Sequence, residues 1–248
     1  MWNDLNTGAY EGMIAETIGL AGFQGDPIRA YYSRPLTPGP HPGLVLIPHM
    51  PGWDEWCREA ARRFTQHGYA VVCPDIYARV GTGTPPEVAA KSREAGGRPD
   101  EQVMGDVKAS LDFLKLAPQS NGKVGVIGMC SGGRHAFLAA CTVDGFDACV
   151  DCWGGGVFGP AGNAPADHTA DLACPMLGIF GNDDQHPSPE EVDRLEGLLK
   201  EAGKDYTFYR YDGAGHGIWY YDRPMYRQEQ AIDSWNKVEA FFDAHLKS

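Results

Sequence analysis

The stretch Lys-Val-Gly-Val-Ile-Gly-Met-Cys-Ser-Gly-Gly, residues 123–133, predicts a buried strand, a tight turn and a helix that begins at Ser131. Cys130 lies at the apex of this turn. Gly128 and Gly132 flank the apex, where a side chain would collide with the strand or with the incoming helix. We therefore expect the apex residue to have a strained backbone that directs its side chain out of the sheet edge into a pocket.

The spacing around Cys130 is that of the Gly-x-Ser-x-Gly nucleophile elbow, with cysteine in place of serine. A helix N-terminus carries partial positive charge, which favours a thiolate over a thiol. The amide of Ser131 has no intrahelical acceptor and is expected to point at a developing oxyanion. A free cysteine is usually a small buried side chain, but the glycine pattern favours a nucleophile here. Ser131 itself is rejected as the nucleophile, because Met129 would then replace the first glycine.

Length and composition predict one globular domain over residues 1–248, a usual length for an α/β-hydrolase or a barrel. The net charge of −12 argues against nucleic acid and against an anionic membrane as partners. No apolar run reaches the roughly 18 residues that a membrane span needs. Residues 1–5 lack the basic and apolar regions of a signal peptide.

The seven cysteines form an odd set without disulfide-scaffold spacing, which favours a reducing cytoplasm. Cys149 and Cys152 have the spacing of a metal-binding pair, but strand alternation is expected to place them on opposite faces. We therefore predict no metal site.

Apolar runs alternate with amphipathic helical segments along the chain. The predicted strands cover residues 17–22, 28–33, 43–47, 69–73, 123–129, 148–152, 176–181 and 207–211. The predicted helices cover residues 55–67, 103–116, 131–141, 189–202 and 226–246. Residues 1–16 are polar and predicted to be irregular, residues 80–99 contain Gly and Pro without periodicity, and the Gly- and Pro-rich residues 153–171 contain no strand signal.

This alternation predicts the α/β class, with a mostly parallel twisted sheet of about eight strands and helices on both faces. In the last helix, the side chains expected to face the core are Ile232, Trp235, Val238 and Phe242.

Other reactive side chains follow later strands, at the edge where parallel sheets build their sites. His216 lies in Gly-Ala-Gly-His-Gly, and an imidazole can take a thiol proton and protonate a leaving alkoxide. Asp183 and Asp184 follow the strand 176–181, and one of them would fix the tautomer of His216. We favour Asp184, because an Asp in such a loop can instead cap or solvate the turn. The chain order of Cys130, Asp and His216 is that of α/β-hydrolase triads.

A second oxyanion-hole amide is expected from the loop after the strand 43–47. Met50 is the predicted donor, because Pro48 and Pro51 have no N–H. Aromatic side chains near strand ends predict a pocket wall for flat or apolar acyl groups, with a plain core as the alternative. They are Trp53, Trp153, Trp219, Tyr220 and Tyr221.

Four segments together resemble the dienelactone hydrolase family across nearly the whole chain. They are Cys-Pro-Asp-Ile-Tyr-Ala-Arg (73–79), Asn-Gly-Lys-Val-Gly-Val-Ile-Gly-Met-Cys-Ser-Gly-Gly (121–133), Gly-Asn-Asp-Asp-Gln-His-Pro-Ser-Pro (181–189) and Tyr-Asp-Gly-Ala-Gly-His (211–216). The resemblance implies a Cys-Asp-His triad at Cys130, Asp184 and His216. It also implies a cytoplasmic, cofactor-free monomer or small homo-oligomer that opens enol-lactones by acyl transfer to sulfur.

The resemblance further implies that Arg79 binds a substrate carboxylate, the alternative being a surface arginine. The family's second carboxylate-binding arginine would stand at Tyr220 here, and Arg223 is one helical turn away. His49 stands where the family has a glutamate that pairs with the resting thiol. An imidazole there could form an ion pair with a thiolate, hydrogen-bond a substrate or fill space.

These observations predict a hydrolase of small esters or lactones, including anionic ones. The predicted substrate-binding residues are His49, Arg79, Trp153 and Tyr220. One alternative is a ligand-binding or sensor protein on a hydrolase scaffold with little turnover. A cysteine peptidase is a weaker alternative, because nothing in the sequence suggests a long peptide cleft.

Overall fold

A single eight-stranded sheet organises the part of the chain that the computed structural model describes, which is residues 12–50, 52–159 and 164–247. The strands are β1 (Met13–Ala21), β2 (Pro27–Pro35), β3 (His41–Ile47), β4 (Ala70–Pro74), β5 (Ser120–Met129), β6 (Ala148–Cys152), β7 (Met176–Gly181) and β8 (Tyr206–Tyr211). Their spatial order is β1-β2-β4-β3-β5-β6-β7-β8. Strand β2 runs against both of its neighbours, and all pairs from β4 to β8 are parallel.

Helices cover both faces of this sheet. They are α1 (Glu55–Gln66), α2 (Pro85–Glu94), α3 (Asp100–Leu116), α4 (Ser131–Thr142), α5 (Pro189–Glu201) and α6 (Gln228–Leu246). Helices α1 and α6 pack on one face, and helices α3, α4 and α5 pack on the other. The sheet is therefore buried on both sides, which explains the nearly continuous apolar runs of its central strands.

Side-chain alternation along the strands divides the core in two. Leu44 and Leu46 of β3 belong to the cluster under α1 and α6, whereas Val45 and Ile47 belong to the cluster under α3, α4 and α5. In β6, Cys152 and Cys149 likewise lie on opposite faces, as predicted. The architecture confirms the predicted α/β class and the mostly parallel sheet.

The residues 80–99, predicted to lack regular structure, contain the helix α2. Its start is built by a capping box, in which the amide and the hydroxyl of Thr84 both donate to the Oε2 atom of Glu87, at 2.7 and 2.9 Å. Pro85 occupies the first helical position. The sequence Thr-Pro-Pro-Glu thus carried a helix-start signal that the weak periodicity of the following turns concealed.

Two smaller predictions were also wrong. Strand β1 begins at Met13, so residues 13–16 are extended rather than irregular, while residues 1–11 lie outside the described ranges. Ile232 is 53% exposed, because α6 instead turns Ala231 and Ser234 toward the core. Within the described residues, no helix has the length and apolar composition needed to cross a membrane.

Candidate active site

The elbow after β5 has the predicted geometry. Cys130 has a φ of 57° and a ψ of −125°, and α4 begins at the next residue. A Cβ atom on Gly128 would lie 1.9 Å from the carbonyl oxygen of Gly132, and one on Gly132 would lie 2.3 Å from the carbonyl oxygen of Ile47. Since these contacts are with backbone atoms, only glycine fits at either position.

Beyond the ends of β7 and β8, an aspartate and a histidine meet. Nδ1 of His216 donates a hydrogen bond to Oδ2 of Asp184 at 2.8 Å, because a carboxylate can only accept. Asp184 is 4% exposed, and its Oδ1 atom also accepts the amide of His186 at 2.9 Å. Asp183 is exposed instead, so the structure brings the favoured aspartate to the histidine.

The ring of His216 also reaches Cys130. Burial disfavours the imidazolium, but hydrogen bonds to Asp184 and to Cys130 outweigh burial and raise the pKa of His216 to about 10. Because Nδ1 is bonded to Asp184, Nε2 is the ring nitrogen left for Cys130. This raised pKa favours the imidazolium at neutral pH.

The two predicted oxyanion-hole donors lie on chain segments that touch. Ser131 is the first residue of α4, so its amide has no acceptor within the helix. The loop after β3 packs on this helix start, since a Cβ atom on Gly132 would lie 2.9 Å from the carbonyl oxygen of Pro48. Met50 follows two residues later in this loop and is half-buried. Pro51 lies outside the described residues.

Behind the elbow, His49 links two other polar side chains. It is 1% exposed, its Nδ1 lies 2.6 Å from the hydroxyl of Tyr220, and its Nε2 lies 2.9 Å from Oδ2 of Asp54. Burial acts to raise the pKa of Asp54, but hydrogen bonds from His49 and from the Cys57 amide lower it below its ordinary value. The ionised carboxylate accepts the Nε2 proton, and in the neutral form of the ring Nδ1 then accepts the Tyr220 proton.

This arrangement differs from the predicted role of His49. Both ring nitrogens of His49 already form hydrogen bonds, one with Tyr220 and one with Asp54, so neither nitrogen is free to bind a substrate. The contact with Tyr220 also takes the place of a direct ion pair with the thiolate. His49 therefore supports the site from behind rather than lining it.

Trp153 and Tyr220 are the two predicted aromatic residues that the structure brings to the triad. Trp153 directly follows β6 with a φ of 43°, and both side chains are buried. The indole ring centroid lies 6.5 Å from that of His216 and 5.9 Å from that of Tyr220. Burial and then the nearby charge of Cys130 raise the pKa of Tyr220 well above its ordinary value of 10, so the phenol stays neutral.

The other three aromatic residues lie elsewhere. Trp219 is buried and stacks on Trp235, with ring centroids 4.0 Å apart. The Trp53 indole donates to the carbonyl oxygen of Cys73 at 3.1 Å, and Tyr221 is 56% exposed. Plain core packing explains Trp219.

The structure does not support Arg79 as a carboxylate-binding residue. Its Nη1 and Nη2 atoms donate to the buried carboxylate of Asp106 at 2.8 and 3.0 Å, and its Nε atom donates to Asp26 at 2.7 Å. All three guanidinium nitrogens are therefore already bonded to carboxylates. Arg223 lies nearer the site, over the Tyr220 ring at 5.0 Å and 3.4 Å from Oδ2 of Asp54.

Sequence reasoning missed Asp54. Its position immediately before α1 predicts a helix N-cap, and its Oδ1 atom does accept the Cys57 amide at 3.0 Å. The second carboxylate oxygen is the one that holds His49, five residues earlier in the chain, and no motif in this loop indicates that pairing.

His49, Asp54 and Cys57 form the group of described residues whose ligand atoms, within 4.8 Å of one another, could hold a metal ion. Hydrogen bonds already satisfy them, including one from Sγ of Cys57 to the carbonyl oxygen of Gly52 at 3.5 Å. Burial raises the pKa of Cys57 well above its ordinary value, which disfavours the thiolate that a metal would need. The three residues therefore fit a hydrogen-bonded cluster better than a metal site.

Comparison with known proteins agrees with this geometry. The sequence profile of the dienelactone hydrolase family matches residues 28–246. The chain belongs to the dienelactone hydrolase family. A carboxymethylenebutenolidase of Pseudomonas putida is 31% identical over 216 residues, covering 83% of this chain and 86% of its own. A provisionally named carboxymethylenebutenolidase of Methylorubrum extorquens is 32% identical over 238 residues, covering 93% and 81%.

A solved structure of this family is also similar. The crystal structure of a provisionally named dienelactone hydrolase from Klebsiella pneumoniae superposes with a TM-score of 0.86 at 28% identity. The match covers 93% of this chain and 98% of that one. These relationships confirm the predicted α/β-hydrolase fold and the predicted enzyme class, a hydrolase of ester or lactone bonds.

Proposed function

We propose that this dienelactone hydrolase family member hydrolyses small esters or lactones through a thioester on Cys130. The observation that carries the proposal is the elbow cysteine, which acts together with Asp184 to raise the pKa of a histidine that Asp184 holds through Nδ1. A thiolate next to an imidazolium is a nucleophile paired with its own acid. The glycine contacts around the elbow support this role, because they hold the cysteine in a strained turn for which core packing offers no reason.

The reaction follows from the positions of the protons. The Cys130 thiolate attacks the substrate carbonyl, and the amides of Ser131 and Met50 stabilise the oxyanion. When the intermediate collapses, the ester C–O bond breaks and Nε2 of His216 gives its proton to the leaving alkoxide. Water then attacks the thioester, neutral His216 takes its proton, and the C–S bond breaks to restore the ion pair.

The substrate class is inferred from the relatives and from the aromatic side chains beside the triad. The named carboxymethylenebutenolidases support a lactone or another activated ester as the substrate. The aromatic side chains of Trp153 and Tyr220 beside the triad favour a flat acyl group.

The test is hydrolysis of p-nitrophenyl acetate by Cys130→Ala, with Cys141→Ala as the matched control. Cys141 is a buried thiol on α4 far along the helix from the elbow. We expect Cys130→Ala to lower kcat/KM by at least about 10³-fold, because triad members act as a unit. The control should stay within about twofold, since its mutation changes no reacting group.

Mass spectrometry of rapidly quenched wild-type protein should show an acetyl group on Cys130. Wild-type turnover retained by Cys130→Ala would disprove the proposal. A wild-type protein that an aryl ester protects against heat but that releases no product would indicate the ligand-binding alternative.

A further inference from the structure

The thioester step proposed above needs a water molecule placed beside the acyl carbon. The triad holds the proton acceptor for that water, His216, but contributes no group to orient it. Two of the buried polar atoms that the described residues place close to the triad matter here, because the proposed triad and oxyanion hole do not use their hydrogen-bonding capacity. They are Nε1 of Trp153 and the hydroxyl oxygen of Tyr220.

The first of these atoms is a donor. Trp153 is fully buried, and among the described residues its indole N–H has no acceptor at full hydrogen-bond distance, although it lies near enough to the Tyr220 hydroxyl to act on that group's pKa. Leaving a buried N–H group without a full hydrogen bond is unfavourable. Since the indole makes T-shaped contacts with both His216 and Tyr220, an oxygen bound among these three side chains would satisfy this donor.

The second atom is an acceptor. In neutral His49, Nε2 donates its proton to Asp54, so Nδ1 accepts the Tyr220 proton. The lone pairs of the Tyr220 oxygen are therefore the part of the hydroxyl left to face the site. Cys130 packs against the same apolar cluster that contains Tyr220, so this hydroxyl belongs to the surroundings of the elbow.

We propose that Trp153 and Tyr220 bind the water molecule that hydrolyses the acyl-enzyme, with Asp54 and His49 as positioning residues for the Tyr220 hydroxyl. The water accepts the indole N–H and donates one proton to the Tyr220 oxygen. It donates its other proton to Nε2 of His216, which is neutral once the leaving group has departed. Its remaining lone pair attacks the thioester carbonyl, so all four directions around the water oxygen are used.

The inference is tested with Tyr220→Phe, which removes one hydroxyl and keeps the ring. In rapid-mixing assays with p-nitrophenyl acetate, the first turnover should release p-nitrophenol within about threefold of the wild-type rate. Deacylation should slow by about tenfold or more, as expected for one lost hydrogen bond to the reacting water. The acetyl-enzyme should therefore accumulate in mass spectra at steady state.

Tyr221→Phe is the matched control. It makes the same chemical change one residue away, where the exposed hydroxyl contacts Glu59 on the surface. We expect both acylation and deacylation to remain at wild-type rates. Hydroxylamine, a stronger nucleophile that needs less positioning than water, should restore turnover in Tyr220→Phe, which a general loss of structure would not allow.

Asp54→Asn provides a second variant that keeps the α1 N-cap through Oδ1. Its amide would donate to Nε2 of His49 and move the ring proton to Nδ1, so the Tyr220 proton would turn into the site. Deacylation should again slow more than acylation. Equal slowing of both steps, or unchanged deacylation in Tyr220→Phe, would overturn this inference and leave the proposed function intact. A wild-type enzyme that forms no thioester would overturn the proposed function and this inference with it.

Discussion

At the scale of single residues, two left-handed backbones shape the site. Cys130 and Trp153 are non-glycine residues with positive φ, and each directly follows the end of a parallel strand. The sheet holds them there, because the amide of Cys130 donates to the carbonyl oxygen of Cys152 at 3.0 Å and the amide of Trp153 donates to that of Ile179 at 2.8 Å. Neighbouring strands thus offset the local strain and bring a thiol and an indole to one place.

The pKa of His216 leads to a prediction at the same scale. The ring should remain protonated at pH 8 and lose its proton near pH 10, against an ordinary value of 6.5. In Cys130→Ala the pH midpoint of the His216 titration should fall, because one of the two hydrogen bonds that raise the His216 pKa has been removed. Proton NMR of the histidine ring across this pH range measures both midpoints. Equal midpoints in the two proteins would show that the sulfur does not act on the ring.

The same shift links stability to pH. A group whose pKa is higher in the folded state contributes stability that is fully present below its unfolded pKa, here about 6.5. This contribution is lost as the pH rises through about 10. The wild-type free energy of unfolding should therefore fall more steeply between these values than that of Cys130→Ala.

At the scale of elements, Arg79 joins three parts of the fold. It follows β4, pairs with Asp106 on α3, and contacts Asp26 in the turn between β1 and β2. The Asp106 carboxylate also accepts the amide of Phe23 at 2.8 Å. This network explains why a residue that resembles a substrate ligand in sequence has a structural role here.

Arg79→Gln should therefore destabilise the protein by about 3 kcal/mol, because it leaves the buried carboxylate of Asp106 without its cation. Urea unfolding measures this cost. Arg58→Gln removes a half-exposed surface pair with Glu55 and should cost at most about 1 kcal/mol. If Arg79→Gln instead spared stability and selectively raised KM for esters that carry a carboxylate, the substrate-binding role would be restored.

At the scale of the whole molecule, the parallel strands bring distant residues to one edge. His49 follows β3, Cys130 follows β5, Trp153 follows β6, Asp184 follows β7 and His216 follows β8. The carboxyl ends of parallel strands share one side of the sheet, so five loops meet there. The site is therefore a property of the strand order rather than of any one segment.

The net charge of −12 predicts how salt affects substrate choice. A strongly negative protein repels an anionic ester at long range, and added salt screens this repulsion. Raising the ionic strength from about 0.01 to 0.15 M should increase kcat/KM for an anionic aryl ester several-fold and leave a neutral isostere unchanged, since the Debye length falls from about 30 to 8 Å. A decrease with salt would show that local cations such as Arg223 dominate the field.

Much of this molecule could be predicted because the relevant signals are local. The strands β6 and β7 match their predicted bounds, and the glycines around Cys130 reveal the elbow because backbone collisions exclude other residues there. The helix α2 was missed, although its capping box is a local signal, because its low apolar content hides the helical period. Strand and helix boundaries elsewhere shifted by a few residues at most.

By itself the sequence determined the fold class, the elbow and the order of the reactive side chains, because periodicity, glycine spacing and chain order can be read directly from the sequence. Only the tertiary structure decided which partners polar side chains take. Arg79 pairs with Asp106, which lies 27 residues later in the chain. His49, which also binds Asp54, bonds to Tyr220, which lies 171 residues later. The physical reason is that hydrogen bonds and ion pairs act over a few ångströms in space, and such separations leave no periodic trace in the sequence.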